Sequence, residues 1–306
     1  MKKNILKNKI LVILGSTASG KTGLAVKLAR EFNGEIISAD SRQVYKGMDI
    51  GTGKDLCEYG DVPYHLIDVI KPNTKFNLAK YQKLANIAIE DILSRGKLPI
   101  IVGGTGLYLQ AIVDNFNLSS VKPDKKLREK LEKLDAEKVF KKLEKINSKF
   151  ANKLNESDKK NKRRLIRYME IASQRECNLE STRIKNYEFL LIGLTWPRKV
   201  LLDRIYKRLI DRLEKEGMVD EVKNLHKHGV SWKRLESFGL EYRYVSLYLR
   251  KKLTYDEMVE KLNIAIRQFA KKQMSWYKRW EKQGAKIYWV KNNNESKKIV
   301  NKFLKK

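Results

Sequence analysis

Eight consecutive residues, Gly15-Ser16-Thr17-Ala18-Ser19-Gly20-Lys21-Thr22, carry the pattern G-x-x-x-x-G-K-[ST]. Its chemistry is phosphate binding. The glycines let backbone N–H groups turn inward, a following helix N-terminus favours an anion, Lys21 neutralises phosphate charge, and Thr22 can ligate Mg²⁺. Such a loop identifies a phosphate and not a reaction. Its default reading is a nucleotide-binding kinase or ATPase, which carries a second acidic Mg²⁺ ligand at the end of another strand. The obvious candidate strand, Leu98 to Val102, runs into Gly103-Gly104-Thr105-Gly106, where no acid stands. An acid follows a different apolar run instead, Asp40 after Ile36-Ile37-Ser38-Ala39. Ligands of open parallel sheets sit at carboxyl strand ends, so Asp40 can share a crevice with the loop, or it can cap the turn that follows it.

These residues need a sheet to hold them. Lys9 to Leu14 reads as a buried strand and Lys21 to Phe32 as the helix after it, with Leu24, Ala25 and Leu28 on the apolar side. Glu35 to Ser38 and Leu98 to Val102 read as further strands, separated by helical periodicity from Asn77 to Arg95 through Leu78, Tyr81, Leu84, Ile87 and Ile92. The alternation implies an α/β fold, a P-loop NTPase-like parallel sheet flanked by helices. From about Leu118 the character changes: Lys122 to Arg167 holds 18 Lys and Arg against 8 Asp and Glu, with apolar residues at helical spacing. This reads as a mostly helical insertion domain over 119–190, inside a core of 1–118 and 191–306. Tyr187 to Leu194 returns to strand character, and Trp196-Pro197 opens a helix through Leu213. Thr254 with Glu257 is a capping box for a helix reaching Trp280, and Ile287 to Val290 is a last strand. Trp276 and Trp280 in that late helix are assigned to the core, and His65 to a structural role.

Composition narrows the function classes. Lys plus Arg total 66 against 36 Asp plus Glu, a formal charge of +30. An excess of that size favours a polyanionic partner, because neutralised phosphates release counterions. Cys57 and Cys177 stand far apart in no metal-ligand spacing, which argues against a disulfide framework or a zinc finger. The run Ile10 to Leu14 is too short to span a membrane and leads into the Gly-rich loop, so the expected address is the cytoplasm.

Several segments together resemble the tRNA dimethylallyltransferase (tRNA isopentenyltransferase) family along nearly the whole chain. They are Gly15 to Thr22, the run Asp40-Ser41-Arg42-Gln43-Val44-Tyr45-Lys46-Gly47-Met48-Asp49-Ile50-Gly51-Thr52-Gly53-Lys54, His65 to Asp68, Val102 to Tyr108, Arg163 to Arg167, and Arg267 to Trp276. The resemblance implies transfer of a dimethylallyl group from dimethylallyl diphosphate to the exocyclic amine of the adenosine 3′ to the anticodon, with pyrophosphate released. It implies a channel that admits the prenyl diphosphate at one end and a flipped adenosine at the other. It makes Asp40 the general base, assigns Thr17 to Thr22 to the diphosphate, and places Thr105 at the channel. It sets Asp40, Ser41, Arg42, Gln43, Thr105, Arg128, Arg163, Arg164 and Arg167 against the tRNA. Lys160-Asn161 stands where the family often shows Asn-Asp, and nothing is carried over there or at Leu240 to Arg243.

On this reading the catalytic set is Asp40, Lys21, Thr22 and Thr105, the phosphate cradle is Gly15 to Thr22, and the metal is Mg²⁺ on Thr22. The partners are the anticodon stem-loop of tRNA and dimethylallyl diphosphate; no membrane is involved, and the chain is expected to act as a monomer. Two rival enzymes share the loop. A P-loop kinase or ATPase that binds RNA would turn over ATP, whereas a prenyltransferase of free adenine nucleotides would have little use for the basic block. A non-catalytic RNA-binding protein would have no need of Asp40.

Overall fold

The computed structural model describes residues 8–116, 118, 121, 123–152, 154–173 and 187–305; Lys122 and Cys177 lie outside them. The chain divides into two compact units, Met1–Phe116 with Asn186–Lys306, and Asn117–Lys185.

The first unit opens with β1 (Lys9–Gly15), α1 (Lys21–Glu31), β2 (Gly34–Ser38), the two-residue β3 (Tyr64–His65), α2 (Leu78–Ser94), β4 (Leu98–Gly103) and α3 (Gly106–Val113). Every residue of β1, β2 and β4 is buried, as a parallel strand covered on both faces requires. Ile10, Val12 and Leu14 pack to one face among Tyr81, Ile89, Leu109 and Trp280. Leu11 and Ile13 pack to the other, with Leu24 and Leu28. Removing each such side chain from water contributes about 1.5–3 kcal/mol. Asn77 caps α2 by accepting the Lys80 N–H, and Tyr81, Ala85, Ile89 and Ile92 form its buried face. Ile87, expected among them, is exposed.

The second unit is helical: α4 (Lys125–Glu132), α5 (Ala136–Ile146), α6 (Ser148–Ala151), α7 (Glu156–Lys159) and α8 (Lys162–Ala172). The side chains of Asp124, Asp135, Asn147, Asn155 and Asn161 each accept an N–H at the start of one helix. Leu131, Val139, Leu143, Leu165 and Met169 make a small core. Beside it the fully buried carboxylate of Glu170 takes Arg128 Nε at 2.6 Å, Arg128 Nη2 at 2.9 Å and Arg167 Nη1 at 3.0 Å. Burial opposes ionisation of Glu170, but hydrogen bonds from Arg128 and then Arg167 outweigh it and hold the carboxyl below its usual range. A depressed carboxyl stabilises the fold above its unfolded pKa and loses that contribution as pH falls. Arg128→Ala is therefore expected to cost about 1–2 kcal/mol at pH 7, discounted for the partly exposed arginine, with the difference from wild type shrinking below about pH 4. Thermal melts of both proteins across pH check this.

The first unit resumes with β5 (Glu188–Leu194), α9 (Arg198–Glu214), α10 (Met218–Lys227), α11 (Trp232–Phe238), α12 (Leu240–Leu249), α13 (Tyr255–Lys282), β6 (Ile287–Val290) and α14 (Asn293–Lys305). The six strands are parallel in the order β3-β2-β4-β1-β5-β6. The Thr254–Glu257 capping box opens α13. Trp280 is buried, and Trp276 lies half-buried against Gly106, with Arg279 over its ring. His65 pairs with buried Glu35 at 2.8 Å, and Arg95 and Lys97 bond the same carboxylate.

Candidate active site

The carboxyl end of β1 runs straight into the phosphate loop, and α1 starts at Lys21. On the neighbouring strand, a Cβ at Gly103 would collide with the Ala39 carbonyl, so only glycine lets the ends of β4 and β2 come this close. Two bonds exploit that approach. Thr105 N–H donates to Ala39 O at 3.2 Å, and Ser41 N–H donates to Thr105 Oγ1 at 3.1 Å. The Asp40 segment is thereby fixed beside the phosphate loop.

One cavity of about 640 Å³ collects these pieces. Thr17, Ala18, Gly20, Lys21 and Thr22 line it from the loop, and Asp40, Ser41, Arg42, Gln43 and Thr105 line it from the strand ends opposite. Gly15, Ser16 and Ser19 support the loop without lining the cavity. Asp40 combines both readings of its position: Oδ1 accepts the Arg42 N–H at 2.8 Å, and no described residue bonds Oδ2. Gln43 is occupied within its own loop by Ser38 and Gly53, and Arg42 Nε donates to Phe238 O while its guanidinium lies over the Phe238 ring. Behind this run, the fully buried Lys54 bonds Asp49 and Asp68 at 2.5 Å each and Tyr45 O at 2.8 Å, holding the loop from 40 to 54 in one shape. Arg128, Arg163, Arg164 and Arg167 belong to the other unit. There Arg164 pairs with Asp158, and Arg163 is exposed without an ion pair among the described residues.

Sequence reasoning missed a third wall. Arg204, Arg208 and Arg212 recur every four residues along α9 and all line the cavity. That spacing was a readable signal of one helix face. Arg208 and Arg212 meet Asp55 at 2.6 and 3.6 Å, and Arg212 Nε and Nη2 are buried without a hydrogen bond. Burial and Arg212 pull the Arg208 guanidinium down from its ordinary value. Lys21 is brought down to about 8 by burial and then by Arg208, with Asp40 and Asp55 opposing. Burial pushes Glu241 up, against Arg212. Two cations of the cavity, Lys21 and Arg208, are thus held below their ordinary values chiefly by burial, and an anion beside them would favour their charged forms.

The loop itself is held from outside. Trp196 Nε1 donates to Ser19 O and Arg204 Nε to Ala18 O, both at 2.8 Å, and Arg204 stacks over Trp196. From the opposite side, Gln273 of α13 accepts the Thr17 N–H at 2.8 Å. Among the described residues no cluster of three or more His, Cys, Asp or Glu side chains could hold a metal. Thr22 lines the cavity from the phosphate loop, where its hydroxyl could hold a divalent ion such as Mg²⁺ together with phosphate oxygens and water.

The model of the IPP transferase family matches residues 43–280, and that of isopentenyl transferase matches residues 8–59. The chain is 48% identical over 296 residues to the tRNA dimethylallyltransferase 1 of Syntrophus aciditrophicus, covering 95% of each chain. The structure of the full-length tRNA isopentenylpyrophosphate transferase from Bacillus halodurans superposes with a TM-score of 0.71 at 36% identity, covering 97% of this chain and 96% of that one. A eukaryotic dimethylallyltransferase acting on tRNA superposes with a TM-score of 0.78 at 27% identity, over 97% of this chain and 80% of the other.

Proposed function

The chain belongs to the IPP transferase family, and on that premise we propose that it moves a dimethylallyl group from dimethylallyl diphosphate onto the exocyclic amine of the adenosine 3′ to the anticodon of tRNA, releasing pyrophosphate. The observation that carries the assignment of residues is the single cavity lined by both the phosphate loop and Asp40. One wall suits an anionic leaving group and the other a proton donor that must be deprotonated.

In the reaction the allylic C–O bond breaks with its electron pair going to the departing diphosphate oxygen, and the new bond forms from the adenine amine nitrogen to that carbon. The diphosphate gains charge as it leaves. Loop N–H groups, Lys21, Arg208 and Arg212 meet that charge without reorganising, and each such donor is worth about 10²–10³ in rate. Mg²⁺ on Thr22, when bound, would neutralise and orient the same oxygens. Asp40 takes the amine proton on Oδ2, a contribution of about 10²–10⁴. Extruding the adenosine costs a few kcal/mol, less in a loop than in a duplex. Ser41, Arg42, Gln43 and Thr105 stand where the flipped nucleotide enters.

The insertion helices supply the grip on the stem backbone. Arg128 and Arg167 bring a net positive charge to it even while bonded to Glu170, and Arg163 has no competing carboxylate among the described residues. Arg163→Gln is expected to lower the slope of log affinity against log salt by about one without changing kcat, as read by filter binding of tRNA between 50 and 200 mM salt. On this reading the enzyme works in the cytoplasm, where its tRNA substrate is processed, and as a monomer. Separately, among the described residues no helix is long and apolar enough to cross a membrane.

The deciding experiment incubates the protein with radiolabelled dimethylallyl diphosphate, Mg²⁺ and unmodified tRNA, with AMP as competitor and ATP in a parallel phosphate-release assay. Label in the RNA, undiminished by AMP, supports the reading. Label on AMP alone, or ATP turnover without label transfer, overturns it.

A further inference from the structure

Gln273 makes two bonds of opposite sense from the same buried amide. Its Oε1 accepts Thr17 N–H from the phosphate loop, and its Nε2 donates to the Gly104 carbonyl, each at 2.8 Å. One turn later the buried Tyr277 hydroxyl bridges the same two loops, lying 3.3 Å from both Gly15 O and Gly104 O. A Cβ at residue 104 would run into Gln273 Nε2 and push the amide from its place. From Gly104 the connection continues through Thr105 to Ala39 O and the Ser41 N–H, which flank Asp40. Hydrogen bonds linked through the Gly104–Thr105 peptide thus join the loop that holds the leaving group to the residues on either side of the base.

We propose that Gln273 is a positioning residue that sets the spacing between the phosphate loop and Asp40, and that its amide is needed because one end must accept while the other donates. The inference rests on the prenyl-transfer reading of the cavity. Gln273 also lines the cavity, but both ends of its amide are engaged by Thr17 and Gly104, and it acts through them. Misplacing two reacting groups by about 1 Å costs on the order of 10²-fold in rate, whereas the binding of each substrate to its own wall is left largely intact. The loss therefore belongs in kcat.

Two variants separate this role from simple packing. Gln273→Met keeps the length and volume of the side chain and removes both bonds. Gln273→Glu keeps the acceptor for Thr17 but, when ionised, faces the Gly104 carbonyl with a negative oxygen; once protonated it can donate again. Single-turnover transfer of labelled dimethylallyl to tRNA should show kcat reduced about 10–100-fold in Gln273→Met, with donor KM and tRNA Kd within about threefold of wild type. The rate of Gln273→Glu relative to wild type should rise as pH falls from 8 to 5, while that of Gln273→Met stays flat. Should Gln273→Met fail to fold, the pH dependence of the Glu variant alone carries the test. A kcat within threefold of wild type in Gln273→Met, or in Gln273→Glu at pH 8, or a Glu-to-wild-type ratio constant with pH, overturns the proposal. Wild-type protein that fails to label tRNA would instead defeat the prenyl-transfer reading, so the two failures are distinguishable.

Discussion

Asp40→Asn is expected to reduce prenyl transfer by about 10²–10⁴ while tRNA affinity stays within a factor of two of wild type. The substitution preserves volume, and the asparagine carbonyl can still accept the Arg42 N–H that Oδ1 accepts now. What disappears is an oxygen able to take a proton. Single-turnover rates with labelled donor measure the first quantity and filter binding the second. A variant that transfers normally but binds tRNA poorly would make Asp40 a recognition residue and leave the reaction without its base.

Lys21→Met is expected to lower kcat/KM for the donor by about 10²–10³, and the wild-type pH profile should show why. With Lys21 brought down to about 8 in the free protein, its charged form dominates below that value and disappears as pH rises through it. The diphosphate needs the charged form. Wild-type kcat/KM for the donor should therefore be level below about pH 8 and fall up to tenfold per unit above it. In Lys21→Met that alkaline limb should vanish, leaving a low, flat profile. Steady-state kinetics at limiting donor between pH 6.5 and 10 decide the matter, and an identical limb in both proteins would assign the titration to another group.

Local patterns made part of the molecule legible. The phosphate loop needs only eight consecutive residues, and the strand before it and the helix after it are set by periodicity within a dozen. Asp40 could be placed because it closely follows an apolar run. The arginines of α9 follow from spacing alone, but their role comes from Asp55 and Lys21, about 150 and 190 residues away in the chain. Gln273 falls inside the Arg267 to Trp276 run that carries the resemblance, but its local pattern assigns it no role, since it sits among core positions of a long helix and acquires meaning only where that helix crosses two loops. Arg128 looked like a cation for RNA, and its bonds to Glu170, 42 residues away, give it a structural duty in addition. The breaks between α11 and α12 and the onset of α3 fall at Gly239 and Gly106, where glycine permits several outcomes and the fold selects one.

The order of strands has a consequence for how the chain is made. β1, near the start, pairs with β4 before the insertion and with β5 after it. During synthesis the loop that follows β1 thus waits, one flank open, until some 190 residues have emerged. Trp196, Arg204 and Gln273 reach it later still. Pairing across such separations is slow, and the apolar edge of β1 is a sticky surface for as long as it stays uncovered. The second unit, with its capped helices and short-range contacts, can fold on the ribosome in the interval, so the helical unit is complete before the cavity of the first unit is closed.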